Sequence, residues 1–510
     1  MFKKKLKLSP IMSFIILIFV IILLSGFLHL LNTQGEYTTV NKVTSELINN
    51  VVEVKSLFST KGIKHIITTA VNGFVNFEPL GALIIVLIGV GVLEKSGFMK
   101  TFFTILTRNS KRYTITYILV FLSLIFSLLG KVGFVVMLPI GALLFKYGRR
   151  NPLGGIIASF ASLSFGYGIN VFLSANDSTL LTMTLNAACV TDPKYKIGVF
   201  FALFIMIAVL IITSIVFTHI TEKIIMPKLP RIETEEEEVK ITNRELRGLI
   251  IGIGAGFLYT LIIIYMIIPG LPLSGVLLDS SSTKYIDMLF GVNSMFNKGF
   301  IFIITLLFVI IGLGYGLMTK TIKNNNDIAE SLGYSLDGIG SILVLLFFAS
   351  LFINIYDESG IGMVLVAWTS KIIGGLKFSG IGLILTVFAL VALVNIFCPS
   401  STLKWSMLSG NIVTVLMTES ISPEFAQIIF SAADSVTKGL TPLFMYYVIY
   451  IAFLEKYNKS NETITLFGST KYMIPYATYI TVIWAVVLLA WYLIGLPIGI
   501  NTLPGVTYGA

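Results

Sequence analysis

Long apolar runs, most of them near 20 residues, alternate along this chain with short polar and basic segments. A helix of that length spans the hydrocarbon core of a bilayer. Uninterrupted runs cover residues 11–31, 79–97, 197–219, 247–269, 299–319, 340–356 and 473–497. Two more are interrupted: 155–190 by GYGINVFLSAND (Gly166 to Asp177), and 425–455 around Ala433 to Pro442. The pattern predicts nine crossings, two of them made by broken helices.

Two further apolar stretches turn back on themselves. Residues 113–148 have Lys111 and Arg112 before them and Lys146, Arg149 and Arg150 after. Both flanks favour the cytoplasm. The interruption Gly130-Lys131-Val132-Gly133 then marks the tip of a re-entrant hairpin of two half-helices. A second hairpin is expected over 380–418, with its tip at Cys398-Pro399-Ser400-Ser401-Thr402. Such backbone is tolerated at membrane depth only where protein or a water cavity shields it. Residues 98–112 are expected to lie along the cytoplasmic surface, 360–376 to be their counterpart outside, and the polar, amphipathic 32–78 to lie outside.

The predicted fold class is therefore all-α and polytopic, with about nine transmembrane helices and two re-entrant hairpins. The order of span, surface helix, hairpin, broken helix and span occurs twice in opposite orientation. It divides the chain into a first half (1–219), a charged cytoplasmic linker (220–246) and a second half (247–510). The run ETEEEE from Glu233 to Glu238 reads as solvated linker. Ser174-Ala175-Asn176-Asp177-Ser178 in the first break matches Ser431-Ala432-Ala433-Asp434-Ser435 in the second. Inverted repeats with paired broken helices at the midplane are the plan of secondary transporters.

Composition narrows the function. Of the 510 residues, 55% are hydrophobic and 12% charged, about half the ~25% charged share of a soluble domain. The net charge of +10 reads as positive-inside bias rather than nucleic-acid binding. The basic start, MFKKKLKLSP, has no A-x-A-like cleavage site after it, so the first run is expected to span with a cytoplasmic N-terminus. The plasma membrane (the inner membrane of a bacterium) is the expected location. Cys189 and Cys398 make no disulfide framework, and His29, His65 and His219 are too scattered for zinc. Gly252-Ile253-Gly254-Ala255-Gly256 suits helix packing better than nucleotide binding, and no Walker A motif is present. No histidine lies near either break to serve a hydrolase, so no enzyme activity is expected.

A broken helix exposes carbonyls at one half-helix end and N–H groups at the other, suiting a bare cation and an anion respectively. Hydroxyl and amide side chains complete such sites. Asn170, Ser174, Asn176 and Ser178 fit the first break; Ser400, Ser401, Thr402, Ser435, Thr437 and Thr441 fit the second hairpin and break. Asp177 and Asp434 carry more weight, because a carboxylate at membrane depth is costly and by default functional. The alternative is a structural ion pair with Lys131, Lys404 or Lys438. Pro399, Pro423 and Pro442 end or kink helices beside the site. Trp405 either stacks on an aromatic or cationic ligand or simply packs.

Four stretches resemble the p-aminobenzoyl-glutamate transporter (AbgT) family: FEPLGALIIVLIGVGVLEKSG from Phe77, GLGYGLMTKTIKNNND from Gly312, VNIFCPSSTLKWSML from Val394 and SPEFAQIIFSAADSVTKGLTPL from Ser422. The likeness runs to the terminal LIGLPIG. It implies a homodimeric secondary transporter of the ion-transporter superfamily, in which the hairpin-bearing part moves as an elevator against a scaffold. Members import p-aminobenzoyl-glutamate with a cation or export sulfonamide-like antimetabolites. Family site residues carry over onto Asp177, Asn395, Trp405, Pro423 and Asp434.

The chain also departs from the family pattern. Ser431 stands where the family has an arginine, Val436-Thr437-Lys438 replaces S-T-N, and Lys131 occupies a hairpin tip. Either Lys438 restores the lost charge for an anionic substrate, or Lys131 or Lys438 stands in for a sodium ion. The expected cation-coupling set is Ser174, Asn176, Asp177, Asp434, Ser435 and Thr437, with sodium or a proton as the driving ion. The expected substrate set is Asn170, Asn395, Ser400, Ser401, Trp405, Pro423, Ser431 and Lys438. At most a bound sodium ion is expected as cofactor. The partners expected are a small aromatic or peptide-like anion, membrane lipid and a second copy of the chain, and no nucleic acid. A dicarboxylate or short amino-acid-like anion, or a sulfonamide-type antimetabolite for export, is the alternative cargo on the same fold.

Overall fold

The computed structural model of the protein describes residues 8–41, 46–171, 174–230, 241–291, 293–458 and 463–505. The first helix, α1 (Pro10–Leu30), is capped by Ser9, whose side chain accepts from the Met12 N–H. Then comes a feature the hydropathy pattern does not announce. Strands β1 (Gln34–Val40) and β2 (Leu47–Glu53) pair antiparallel, from Gln34 against Glu53 to Val40 against Leu47. Their β-branched and aromatic residues (Tyr37, Thr38, Thr39, Val40, Ile48, Val51, Val52) favour a pleated ribbon. The amphipathic α2 (Thr60–Val75) follows.

Next come α3 (Glu78–Lys95) and the short α4 (Phe98–Arg108). The first hairpin has arms α5 (Arg112–Phe126) and α6 (Lys131–Tyr147), joined by a turn of 3₁₀ helix over Ser127–Leu129. Gly130 closes its tip at φ +51°, ψ −120°, a conformation that a side chain would disfavour. The first broken helix is α7 (Pro152–Phe165) and α8 (Ala175–Thr191). Helix α9 (Leu203–Ile220) runs on through a π turn (Thr221–Ile225) to Lys228, so helical structure enters the stretch expected to be linker. The acidic run Glu233 to Glu238 and the basic residues before Leu8 lie outside the described residues.

In the second half α10 (Asn243–Ile267) is followed by a short α11 (Tyr285–Phe290), α12 (Met295–Thr319) and α13 (Asn325–Gly333). Helices α14 (Gly340–Ser359) and α15 (Ile361–Gly374) lead to the second hairpin, α16 (Gly380–Asn395) and α17 (Ser401–Thr418). The second broken helix is α18 (Pro423–Val436) and α19 (Tyr447–Tyr457), and α20 (Leu466–Ile494) ends the bundle. The order α3 to α9 is thus matched, element for element, by α14 to α20.

Among the described residues eight helical stretches are long and apolar enough to cross a membrane. One of these is the hairpin arm α5; the other two expected crossings are the broken helices, whose halves are each too short alone. The polytopic, nearly all-helical plan holds, with one addition to it. The β-ribbon lies on the second hairpin: the Trp368 indole of α15 donates to the Gln34 carbonyl (2.9 Å), and Gly410 of α17 abuts the Thr38 carbonyl.

Burial separates two regions. Helices α7 and α18 are buried along nearly their whole length, and α6 along most of it. Helices α10 and α12 are apolar yet little buried, α10 mostly exposed and α12 mostly half-buried, as lipid-facing helices are. Gly252 and Gly256 bring these two together: a Cβ on Gly252 would lie 2.8 Å from the Ile311 carbonyl, so this glycine run serves helix packing.

Candidate functional site

The first break packs against α18, the half-helix that leads into the second break, at the centre of the buried region. Their contact is backbone to backbone: a Cβ on Gly168, in the first break, would lie 2.3 Å from the Ser431 carbonyl on α18. Only glycine permits that approach. A second link comes from the hairpin, where the Thr402 hydroxyl donates to Asn176 Oδ1 at 3.0 Å.

In the first break the carboxylate begins a helix. Ser174 caps α8 and accepts from the Asp177 N–H (3.2 Å). Asp177 reaches back to accept from the Ser174 N–H (3.0 Å) and hydroxyl (2.6 Å), a reciprocal capping box. Asn170 Nδ2 adds donors at 2.9 and 2.8 Å to the two carboxylate oxygens. Every one of these donors is neutral. No lysine or arginine pairs with Asp177 among the described residues, and the other amide atom, Asn170 Oδ1, is buried with no hydrogen-bond partner. Asn170, Asp177, Gly168, Gln427 and Ser431 face a small cavity of about 30 Å³.

In the second break the carboxylate ends a helix. Asp434 lies in the last turn of α18, not within the break, which starts only at Thr437. Its Oδ1 accepts from Lys404. Its Oδ2 accepts from Lys438 (2.8 Å) and from the Ser401 hydroxyl (2.6 Å). Lys438 also donates to Ser401 (2.7 Å) and lies 3.7 Å from the centre of the Tyr167 ring. Asn395 accepts from Lys404 through Oδ1, and its Nδ2 donates to the Asp434 carbonyl (2.5 Å) and to Thr437 (3.0 Å). This is a fully buried cluster of two ammoniums on one carboxylate.

Two adjoining cavities, about 420 and 640 Å³, share Glu78, Tyr167, Asn176 and Tyr446 as common walls. The smaller reaches the second hairpin tip and is lined by Pro399, Ser400, Ser401, Thr402 and Lys438. The larger reaches the first hairpin tip at Lys131 and the first break at Asn170 and Ser174. Each is in the size range of a small-molecule site. Lys131 pairs there with Glu78 at 3.1 Å, and the Tyr446 hydroxyl donates to the same carboxylate at 3.1 Å.

A family model described as "AbgT putative transporter family" matches residues 5–506. The chain belongs to that family. As an AbgT-family member it is a multi-pass membrane transporter. It is 26% identical to the p-aminobenzoyl-glutamate transport protein of Escherichia coli (strain K12) over 497 residues, 97% of this chain and 94% of that one. Two solved structures are also similar. The YdaH transporter of Alcanivorax borkumensis is 26% identical, with coverage of 96% of this chain and 100% of that one and a TM-score of 0.48. MtrF of Neisseria gonorrhoeae, whose structure is described as illuminating a class of antimetabolite efflux pumps, is 27% identical, with 97% of each chain covered and a TM-score of 0.49.

Against this family background the expected site residues fall into three groups. Asn170, Ser174, Asn176, Asp177, Ser400, Ser401 and Lys438 gather around the cavities, with Asn395 and Asp434 directly behind Lys438. Ser431 faces the small cavity with Asp177 and lines neither large one, so it and Lys438 serve different places. Ser435 and Thr437 spend their hydroxyls on the carbonyls of Ala432 and Ala392, 2.8 Å each.

Two residues stand apart from the cavities. Trp405 is fully buried; its indole N–H donates to the Leu180 carbonyl (3.2 Å) and Thr184 (3.0 Å), and its ring packs 4.4 Å from Phe430. It couples the second hairpin to α8 and lines none of the three cavities. Pro423 opens α18 at the end remote from Asp434, eleven residues or roughly 16 Å of helix away. Sequence reasoning missed Glu78, Tyr167, Asp357 and Tyr446, all of which line a large cavity. A signal existed for Glu78, a carboxylate opening an otherwise apolar span.

Proposed function

We propose that this chain is a cation-coupled secondary transporter of p-aminobenzoyl-glutamate or a closely related aromatic, peptide-like anion. The observation that carries the reading is the paired cavity between the hairpin tips, into which the surplus ammonium of Lys438 looks. A carboxylate group of the substrate is drawn to Lys438 and to the N-terminus of α17, which the exposed Ser400 caps. The aromatic part lies against Tyr167, Phe444 and Tyr446. The substrate class is taken from the E. coli relative by similarity along nearly the whole of both chains.

Ser174, Asn176 and Asp177, with Asn170, form the coupling end of the site. Its acceptors outnumber its charged donors, so a cation stabilises it. The halves act as inverted repeats: the hairpins, broken helices and their flanking spans travel as an elevator against α10 and α12, whose exposed apolar faces suit a homodimeric scaffold in the inner membrane of a bacterium. The N-terminus lies in the cytoplasm.

Uptake of labelled p-aminobenzoyl-glutamate into proteoliposomes tests this, comparing an inward sodium gradient, an inward proton gradient and neither. Accumulation under one gradient alone is expected. Equal filling under all three conditions would reject coupling, and no filling from folded protein would reject the cargo.

A further inference from the structure

We infer that the second break binds no coupling ion: the ammoniums of Lys404 and Lys438 fill its cation position, and the cycle carries a single sodium ion, bound at the first break. This rests on the secondary-transport reading above. A bare cation in a broken helix is held by a carboxylate together with carbonyl and hydroxyl oxygens at a half-helix end. At the second break the carboxylate, the Asp434 carbonyl and the nearest hydroxyls each already have a donor or a task. Asp434 Oδ1 takes Lys404, and Oδ2 takes Lys438 and Ser401. The Asp434 carbonyl accepts from Asn395. Thr437 accepts from Asn395 and donates to Ala392, while Ser435 donates to Ala432.

Charge points the same way. Two ammoniums on one carboxylate leave the cluster at +1, and a third cation beside them would meet two like charges in a medium that screens poorly. Glu78, the carboxylate across the cavity, is already paired with Lys131. Asp357 also lines that cavity, so it is within the buried cluster itself that the surplus opposes a further cation.

The first break has the complementary arrangement. Asp177 is buried and held only by neutral donors, so its charge is uncompensated within the described residues. Beside it Asn170 Oδ1 is buried without a donor, and the small cavity has room for about one water-sized occupant. A sodium ion satisfies both oxygens at once.

Counting bound ions tests this separately from transport. Labelled sodium is titrated onto the purified full-length protein, without substrate, at fixed pH. Saturation at one ion per chain is expected, with that ion lost in Asp177→Asn and kept in Lys438→Met, where Lys404 still pairs with Asp434. Removing both lysines (Lys404→Met with Lys438→Met) frees Asp434, and a folded double variant gains a second ion. Two ions on the wild type, none, or one that survives Asp177→Asn would each overturn the inference. So would a folded double variant that still binds only one. If the double variant does not fold, the wild-type count decides. Failure of the transport reading shows elsewhere, as absent uptake by a protein that still binds its one ion.

Discussion

The two broken helices offer the same residue pair, Asp177-Ser178 and Asp434-Ser435, to opposite ends of a helix. Asp177 sits in the first turn of α8, where free N–H groups and the helix dipole favour a negative charge. It is held there by Ser174 and Asn170, with no cation beside it among the described residues. Asp434 sits in the last turn of α18, where free carbonyls disfavour it. It is held by Lys404 and Lys438. One sequence motif thus becomes an unneutralised acceptor in one half and a permanently neutralised one in the other. What differs is the helix end at which the carboxylate falls, not the carboxylate.

That contrast can be broken at several points. The largest effect is expected from Asp434→Ala, which strands two buried ammoniums; loss of one partner from a buried pair costs about 3–5 kcal/mol. Thermal unfolding of the purified protein should show it, with little folded material recovered. Asp177→Asn comes next and differs in kind. It keeps the helix cap nearly intact, so the melting temperature should hardly move while gradient-driven uptake falls to background. If uptake were retained, the first break would not be the coupling end.

Lys438→Met should weaken the anionic substrate. A charge-assisted contact is worth about 1.5–3 kcal/mol, or roughly 10- to 100-fold in affinity. Substrate concentration dependence of uptake measures this, and an unchanged KM would remove Lys438 from the substrate site. Trp405→Phe should cost stability of about 1 kcal/mol through its lost hydrogen bonds, with no change in substrate affinity. A large rise in KM with normal stability would instead return Trp405 to the binding site. The smallest effect is expected from Lys131→Met, since its partly exposed pair with Glu78 is worth no more than about 1 kcal/mol.

Much of this site is legible along the chain itself. Asp177 and Asp434 stand out because a carboxylate among apolar runs is too costly to be incidental. Ser174, Asn176, Ser400 and Ser401 follow from their positions at interruptions. Partnership is what the chain does not spell out. Lys438 stands four residues after Asp434, but Lys131 and Lys404 are equally available to either aspartate by sequence; Lys404 joins Lys438 on Asp434 while Lys131 goes to Glu78. Trp405 illustrates the same limit: one helical turn decides between a cavity wall and a buried packing surface, and it faces Leu180 and Phe430. The β-ribbon stays hidden because its strands, seven residues each, are too short and too polar to register as apolar runs.

The sequence by itself determined the membrane spans, the two hairpins, the two breaks and the family. The bilayer imposes those features locally, through the length of an apolar run and the requirement that every backbone group at depth be satisfied. Only the tertiary structure decided which ammonium meets which carboxylate, which oxygen is left without a donor and which cavity each tip faces. Those outcomes depend on side chains tens to hundreds of residues apart being brought within about 3 Å, a matter of packing that no local pattern encodes.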